Sequence, residues 1–581
     1  MTSLFGAHTN PPSPGADNLA GRLDPAYRLA SWDRLRAGVD LLVIGGGVTG
    51  CGIALDAALR GLRVGLVEQR DFAAGTSSRS SKLVHGGLRY LEQLNFPLVR
   101  EALRERSLLL DRLAPHLVTP LPFLYPLSHR LWERPYVGAG LTLYDTLGGL
   151  QPSVPRHSHL SKGAALRTFP SLRPDTLAGA IRYHDAQVDD ARHTIELART
   201  AAAHGASLVS AARVTEIVRD GDRVVGARVH DMNTDTVNEV SARVVVNATG
   251  VWAGRTEQLA GVTSPIRMRP SKGVHIVVPR DRIDASVALI TKTPTSVLFV
   301  LPWGRSWVIG TTDTPWRHGL SHPTTTHADL TYLLGQANAV LTSHLTESDV
   351  IGAYAGLRPL VDTEGLRESE ISREHTVRRP LPGLVTIAGG KYTTYRVMAQ
   401  DAVDRCSEDL GELPASSTAD VPLIGAAEPE DVLIAARGHR ATAHLDDVNL
   451  DRLSRRYGRL LPELLDVVVA NPRLAREIPG GAGTLGVEVV HAASHEGALR
   501  LDDVLTRRTR LYLEAGDRGV VAARHVAKLM GSVLGWGRST RSAEISRYHE
   551  RVSTELEAQS APDDDAAAAI RERSRDPRAW G

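Results

Sequence analysis

The segment Gly45-Gly46-Gly47-Val48-Thr49-Gly50 constrains the fold more than any other part of the chain. It follows Asp40-Leu41-Leu42-Val43-Ile44, a short apolar, β-branched run, and precedes Ile53, Ala54, Ala57 and Ala58, which recur at helical spacing. Val64-Gly65-Leu66-Val67-Glu68 then reads as a second buried strand. A strand, a helix and a strand within about thirty residues is the size of a parallel βαβ crossover. In the pattern G-x-G-x-x-G, Gly45 permits the tight turn, Gly47 lets the backbone approach a pyrophosphate, and Gly50 lets helix and strand pack closely. The helix N-terminus faces the negative charge. Glu68 ends the second strand 18 residues after Gly50, where a carboxylate can accept both ribose hydroxyls. The alternative is a glycine-rich turn with no ligand; the flanking strand, the helix and Glu68 favour a dinucleotide site.

Composition narrows the rest. With 581 residues, 42% apolar and 23% charged, the chain is an ordinary globular one, large enough for roughly two to four domains. Its 68 Lys+Arg against 66 Asp+Glu leave a net charge of +2, so no global field attracts nucleic acid and any anion site is local. Two distant cysteines, Cys51 and Cys406, supply neither a disulfide framework nor a cysteine zinc site, and no metal site is expected. A reducing compartment follows, with Cys51 packed in the first helix. No apolar stretch approaches the ~18 residues of a membrane span, and the start of the chain lacks a signal peptide's basic region and apolar run. Surface attachment needs only one apolar face. Residues 136–150, preceded by Trp132, are the candidate, although Asp145 argues against deep burial.

Residues 1–37, with Asn10-Pro11-Pro12-Ser13-Pro14-Gly15, read as a flexible extension carrying a short helix near residues 25–35. Residues 38–90, about 185–255 and 380–410 read as a discontinuous Rossmann-like domain, because 244–247 and 385–388 look like buried strands returning to it. Between them, about 91–184 and 256–379 form an inserted α+β substrate domain. Its antiparallel sheet is signalled by strands at 296–301 and 306–311 joined by Trp303-Gly304-Arg305. About 420–560 is α-helical, a C-terminal cap domain, and 561–581 is a charged, Ala-rich flexible tail. Arg104-Glu105-Arg106 and Arg507-Arg508 read as solvated helix faces. The fold class is α/β with these additions.

The G-x-G-x-x-G pattern is shared by NAD and FAD sites. Gly75-Thr76-Ser77-Ser78-Arg79-Ser80-Ser81-Lys82 offers hydroxyls and backbone N–H groups to an extended cofactor, which suits a flavin nucleotide better, with Thr76, Ser77, Ser78 and Lys82 as contacts. Gly250, Gly389, Gly390 and Thr393 stand at strand ends where a cofactor can lie against bare backbone. Ordinary small-residue turns are the alternative there.

The runs Arg79-Ser80-Ser81-Lys82-Leu83-Val84-His85-Gly86-Gly87-Leu88-Arg89-Tyr90-Leu91 and Gly389-Gly390-Lys391-Tyr392-Thr393-Thr394-Tyr395-Arg396 resemble the respiratory, aerobic-type FAD-dependent glycerol-3-phosphate dehydrogenases. Ser271-Lys272-Gly273-Val274-His275, Gly310-Thr311-Thr312-Asp313 and Gly356-Leu357-Arg358-Pro359-Leu360 extend the resemblance, which spans about residues 39–400; Asp503 to Arg510 resemble the family's cap domain more loosely. The resemblance implies FAD and oxidation of sn-glycerol 3-phosphate to dihydroxyacetone phosphate, by hydride transfer from C2 to flavin N5. It implies a membrane quinone as acceptor and a cytoplasmic protein held peripherally on the inner face of the cytoplasmic membrane. The oligomeric state stays open, a homodimer among the options.

Such a substrate is a dianion whose secondary alcohol loses a hydride and a proton, so the site needs fixed cations and a proton acceptor. By the resemblance Arg358 takes the phosphate, Arg89 and Lys391 share anchoring and polarising duties, and Tyr90 adds a hydroxyl. His275, on an apolar strand, is the candidate proton acceptor; Lys391 is the alternative if its pKa is depressed, and a structural strand histidine is the plainer reading. His85 reads as orienting or structural, and Thr312 and Asp313 as shaping the site. Two rivals stand beside this reading. One is a glycerol-3-phosphate oxidase using O2, and the other a non-catalytic flavin-binding interaction module.

Overall fold

The computed structural model describes residues 21–129, 132–149, 153–263, 268–294, 296–361 and 374–573. The strand Val39–Ile44 is apolar at every position but Asp40 and buried almost throughout, as a strand covered on both faces must be. It pairs in parallel with Val64–Val67 on one side and with Thr236–Asn247 on the other. Thr236–Asn247 in turn pairs in parallel with Leu384–Gly389, and Val64–Val67 with Ser207–Val209. Strands distant in sequence thus build one sheet, closed at one edge by the antiparallel strand His375–Leu381. The helices Val48–Leu59, Asp190–Ala203 and Tyr395–Arg405 pack together over it, sharing a core of Cys51, Ile53, Ile195, Leu197, Met398 and Ala402.

A second, ten-stranded sheet carries the inserted region. Ser271–Pro279 lies between Ser306–Gly310 and Gly352–Arg358, antiparallel to both. The expected hairpin is present as Val297–Trp303 and Ser306–Gly310. One pairing is parallel, between Ala288–Lys292 and Val118–Leu127. Leu83–Val84 joins the far edge of this sheet by pairing with Gly179–Val188. The chain therefore leaves the first sheet near residue 82, earlier than the expected boundary at 90. The helical C-terminal block runs from Pro429–Ala436 to Asp564–Arg571.

Three expectations are corrected. The helix expected near residues 25–35 is present as Pro25–Arg36, but it is not part of a flexible extension: Asp24 caps it, and buried Trp32 and Leu35 anchor it against the face of the first sheet. Residues 1–20 lie outside the described residues. The tail read as flexible from 561 forms the helix Asp564–Arg571, held by buried Ala567 and by an ion pair between Asp564 and buried Lys272; residues 574–581 lie outside the described set. The charged clusters read as solvated faces are largely buried: Glu105 pairs with Arg396 at 2.7 Å, Arg106 with Asp185 at 2.6 Å, and Arg507 and Arg508 with Asp71, leaving only Arg104 exposed. Local spacing marked these residues as charged, but the partners that bury them include residues far away in the chain: Asp185 is 79 positions from Arg106, and Asp71 is 436 from Arg507, which also pairs locally with Asp503. Both cysteines are free and buried, and burial pushes the Cys406 thiol up to about 12. Among the described residues no helix is long and apolar enough to cross a membrane.

Candidate active site

An elongated cavity follows the C-terminal ends of Val39–Ile44, Thr236–Asn247 and Leu384–Gly389, where open α/β sheets bind their ligands. The first sheet and its loops supply Gly45, Gly47, Val48, Thr49, Glu68, Thr249, Gly250, Gly389 and Gly390. The second sheet supplies Gly273, His275, Gly356 and Arg358; Arg79, Ser81, His85 and Tyr90 come from the crossing between the sheets.

The glycine loop is built for close approach. Gly45 has φ +115°, and a Cβ there would meet the Ala248 carbonyl oxygen at 2.6 Å. A Cβ on Gly50 would lie 1.9 Å from the Gly45 carbonyl oxygen, so Gly50 allows the helix to press on the loop and does not itself line the cavity. Gly47 caps the helix Val48–Leu59 without a side chain, leaving backbone N–H groups at the cavity wall. Val48 N donates to Ser77 Oγ at 2.9 Å, which braces the next loop against this one.

Glu68 stands where the motif requires it. Oε2 accepts from Gly46 N at 2.7 Å and Oε1 from Arg70 N at 2.8 Å, and each carboxylate oxygen keeps a second acceptor position for a ribose hydroxyl. Burial raises its pKa against the pull of those N–H groups. Thr76 donates to the Leu357 carbonyl at 2.7 Å and Thr393 to the His85 carbonyl at 3.3 Å, so both hydroxyls tie cavity walls together. Gly250, Gly389 and Gly390 take φ of +60°, +79° and +85° at the strand ends. These features fit an extended dinucleotide.

Of the residues expected at the cofactor, Gly50, Ser78 and Lys82 are not among those lining the cavity. Lys82 is drawn away by Asp190: its Nζ donates to Asp190 Oδ1 at 2.5 Å and to the Ser78 carbonyl at 2.7 Å, and the residue is buried.

At the other wall, His275 lies in register between Gly310 and Tyr354. Its Nε2 is 2.9 Å from Ser81 Oγ, and its ring stacks on Tyr354 with centroids 4.9 Å apart and planes 8° from parallel. Burial, followed by the charges of Arg358 and Lys82, holds its pKa well below the ordinary histidine value, so the imidazole is neutral at neutral pH. Arg358 donates from Nη1 to Asp313 Oδ1 at 3.0 Å and from Nη2 to Thr311 Oγ1 at 2.8 Å and the Thr312 carbonyl at 3.0 Å. Thr312 Oγ1 accepts from Val274 N at 3.0 Å. The Lys391 ammonium sits 3.7 Å from the centroid of the Tyr90 ring. Arg89 begins the short helix Arg89–Glu92, but its side chain lies outside the described residues.

Thirteen of the residues singled out in the sequence thus share one cavity: Gly45, Gly47, Glu68, Thr76, Ser77, Gly250, Gly389, Gly390, Thr393, Tyr90, His275, Arg358 and Lys391. Sequence reasoning assigned no role to Arg79, Ser81 or Tyr354. The first two stand inside a motif it quoted; Tyr354 gives no local signal beyond an aromatic on an apolar strand. Elsewhere, Glu463, His491 and His495 are close enough to share an ion, but Glu463 already accepts from Arg199 at 3.1 and 3.2 Å, so that guanidinium answers its charge.

Residues 40–396 match the model of the FAD dependent oxidoreductase family, and residues 416–541 that of the C-terminal domain of alpha-glycerophosphate oxidase. The chain is 50% identical over 562 residues to glycerol-3-phosphate dehydrogenase 2 of Mycobacterium tuberculosis, covering 96% of both chains. It is 36% identical to the mitochondrial glycerol-3-phosphate dehydrogenase of Mesocricetus auratus, over 87% of this chain and 72% of that one. The solved structure of the glycerol-3-phosphate dehydrogenase from Bacillus halodurans, complexed with FAD, superposes with a TM-score of 0.75 at 29% identity, covering 93% of this chain and 99% of the other.

Proposed function

Because this chain belongs to the FAD-dependent glycerol-3-phosphate dehydrogenase family, we propose that its cavity holds FAD and oxidises sn-glycerol 3-phosphate to dihydroxyacetone phosphate. The observation that carries the reading is the convergence of Tyr90, His275, Arg358 and Lys391, from four remote segments, on the cavity that also holds the Gly45–Gly47 loop and Glu68. When bound, FAD supplies the acceptor for the hydride that leaves C2 of the substrate.

The residues divide the remaining work. The bare backbone at Gly45 and Gly47 and the helix N-terminus behind them meet the pyrophosphate, Glu68 accepts the ribose hydroxyls, and Gly250, Gly389 and Gly390 let the cofactor lie against the strand ends. Arg358, its guanidinium oriented by Asp313 and Thr311, presents a planar fork to the phosphate oxygens. Lys391 and Arg89 share anchoring and polarising of the substrate, and Tyr90 adds a hydroxyl contact. His275 takes the hydroxyl proton, because burial keeps its ring neutral and therefore able to accept.

The electrons pass on to a membrane quinone in this reading, with the protein on the inner face of the cytoplasmic membrane. An exposed aromatic pair supports attachment there: Trp132 and Tyr136, with ring centroids 6.4 Å apart, are 57% and 56% exposed. Aromatic side chains of this kind favour a membrane interface. The test is spectroscopic. Glycerol 3-phosphate added without oxygen should bleach the flavin absorbance, and a quinone analogue should then restore it with little hydrogen peroxide. Failure to bleach would refute the reaction, and stoichiometric peroxide would replace the quinone by O2.

A further inference from the structure

His275 must hold one ring plane and one tautomer to accept a proton at a defined place. Among the described residues its buried Nδ1 meets no hydrogen-bond partner, so there the contact of Nε2 with Ser81 Oγ fixes the ring edge. Ser81 belongs to a turn that another residue holds. Asp190, fully buried at the start of the helix Asp190–Ala203, accepts at Oδ2 from Ser80 N at 3.0 Å and Ser80 Oγ at 2.6 Å. At Oδ1 it accepts from Lys82 Nζ at 2.5 Å. Ser80 and Lys82, on either side of Ser81, are thus tied to one carboxylate.

The backbone explains why a tie is needed. Lys82 has φ +61°, a left-handed conformation that costs a non-glycine residue about 1–2 kcal/mol. The Asp190 ion pair holds it there. The same cluster also fixes the face of the imidazole, since Tyr354, stacked on His275, donates its hydroxyl to the Ser80 carbonyl at 3.0 Å. The Lys82 ammonium lies 5.1 Å from the centroid of that tyrosine ring. Edge and face of His275 are therefore both set by groups that converge on Asp190.

We propose that Ser81 and Asp190 are positioning residues for His275: Asp190 clamps the 80–82 turn, and the turn presents the Ser81 hydroxyl to Nε2, fixing the orientation and tautomer of the proton acceptor. The catalytic part of this inference rests on the dehydrogenase reading above; the contact itself does not.

The test uses the FAD-loaded full chain in anaerobic stopped-flow with glycerol 3-phosphate. Ser81→Ala should lower the limiting rate of flavin reduction by about tenfold to a hundredfold, with the apparent substrate dissociation constant and the FAD content little changed. Ser81→Thr, which keeps the hydroxyl, should recover most of the rate. A wild-type rate in Ser81→Ala, or equal losses in Ser81→Ala and Ser81→Thr, would overturn the proposal. A second measurement is independent of turnover: ¹⁵N spectra of histidine-labelled protein, with the His275 signals identified by their loss in His275→Gln. One tautomer should dominate in the wild type and a mixture should form in Ser81→Ala and in Asp190→Asn; unchanged nitrogen shifts in Ser81→Ala would refute the contact's role. Should glycerol 3-phosphate fail to reduce even the wild-type flavin, the functional reading falls, while the nitrogen spectra still decide the positioning role.

Discussion

Glu68 and Asp71 stand three residues apart in the same loop, and the chain treats them in opposite ways. Asp71 is fully buried against the helical C-terminal block, where Arg508 grips it with both terminal nitrogens at 2.6 and 2.7 Å and Arg507 adds Nε at 2.6 Å. Desolvation pushes its pKa up, but the two guanidiniums outweigh it and hold the carboxyl at about 2. Glu68 faces the cavity, and its oxygens meet two backbone N–H groups. An acid gripped by the guanidiniums of the same chain is a joint between parts of the fold, whereas one hydrogen-bonded by two backbone N–H groups keeps acceptor capacity for a ligand. The arginines differ in exposure and not in being paired: the Arg508 side chain is 0% exposed against Asp71, and that of Arg358, paired with Asp313 at 3.0 Å, is 19% exposed at the cavity wall.

The comparison breaks most severely at the joint. Asp71→Ala leaves Arg507 and Arg508 buried beside an uncompensated site and should cost about 3–5 kcal/mol of stability, read as a lowered Tm or urea midpoint. The pH dependence has a definite sign. Because the folded-state pKa of Asp71 lies below the ordinary aspartate value, its contribution is present above about pH 4 and fades as pH falls through about 2. A wild-type advantage over Asp71→Ala that is already gone at pH 6 would contradict the joint.

At the cavity wall the same kind of change should strike binding. Arg358→Ala should raise KM for glycerol 3-phosphate by an amount equivalent to about 2–4 kcal/mol, roughly 30-fold to 1000-fold, with the yellow colour retained. Steady-state kinetics and a visible spectrum check it, and an unmoved KM would remove Arg358 from the phosphate. The smallest effect belongs to Glu68→Ala, which should weaken FAD by about 1–2 kcal/mol in a fluorescence titration of the apoprotein. With FAD saturating, KM for the substrate should stay as it was.

Some of this was legible without coordinates. The unit from Val39 to Glu68 announces itself because a parallel crossover needs contiguous apolar strands, a helical repeat and glycines at fixed offsets, all of them local features. The hairpin around Gly304 and the strands at 244–247 and 385–388 were readable for the same reason, as apolar runs of strand length bounded by turn residues. Lys82 was not. It sits in the same motif as Thr76 and Ser77, which line the cavity, yet a carboxylate 108 positions away withdraws it from there. Arg106, Arg507 and Arg508 carry the spacing of a solvated face and are buried, because each meets a partner that no local pattern predicts. The helix Pro25–Arg36 was legible as a helix but its anchoring was not, because that depends on Trp32 and Leu35 finding the face of a sheet built largely from later residues.

What the amino-acid order determined by itself was the nucleotide-binding crossover, the division into two sheets and a helical end, and the residue types the chemistry requires. Those are short-range properties of periodicity and backbone freedom. Which charges serve the cavity and which lock the fold was decided only by tertiary structure, since an ion pair takes its strength from separation and burial, and both are set by segments tens to hundreds of residues apart.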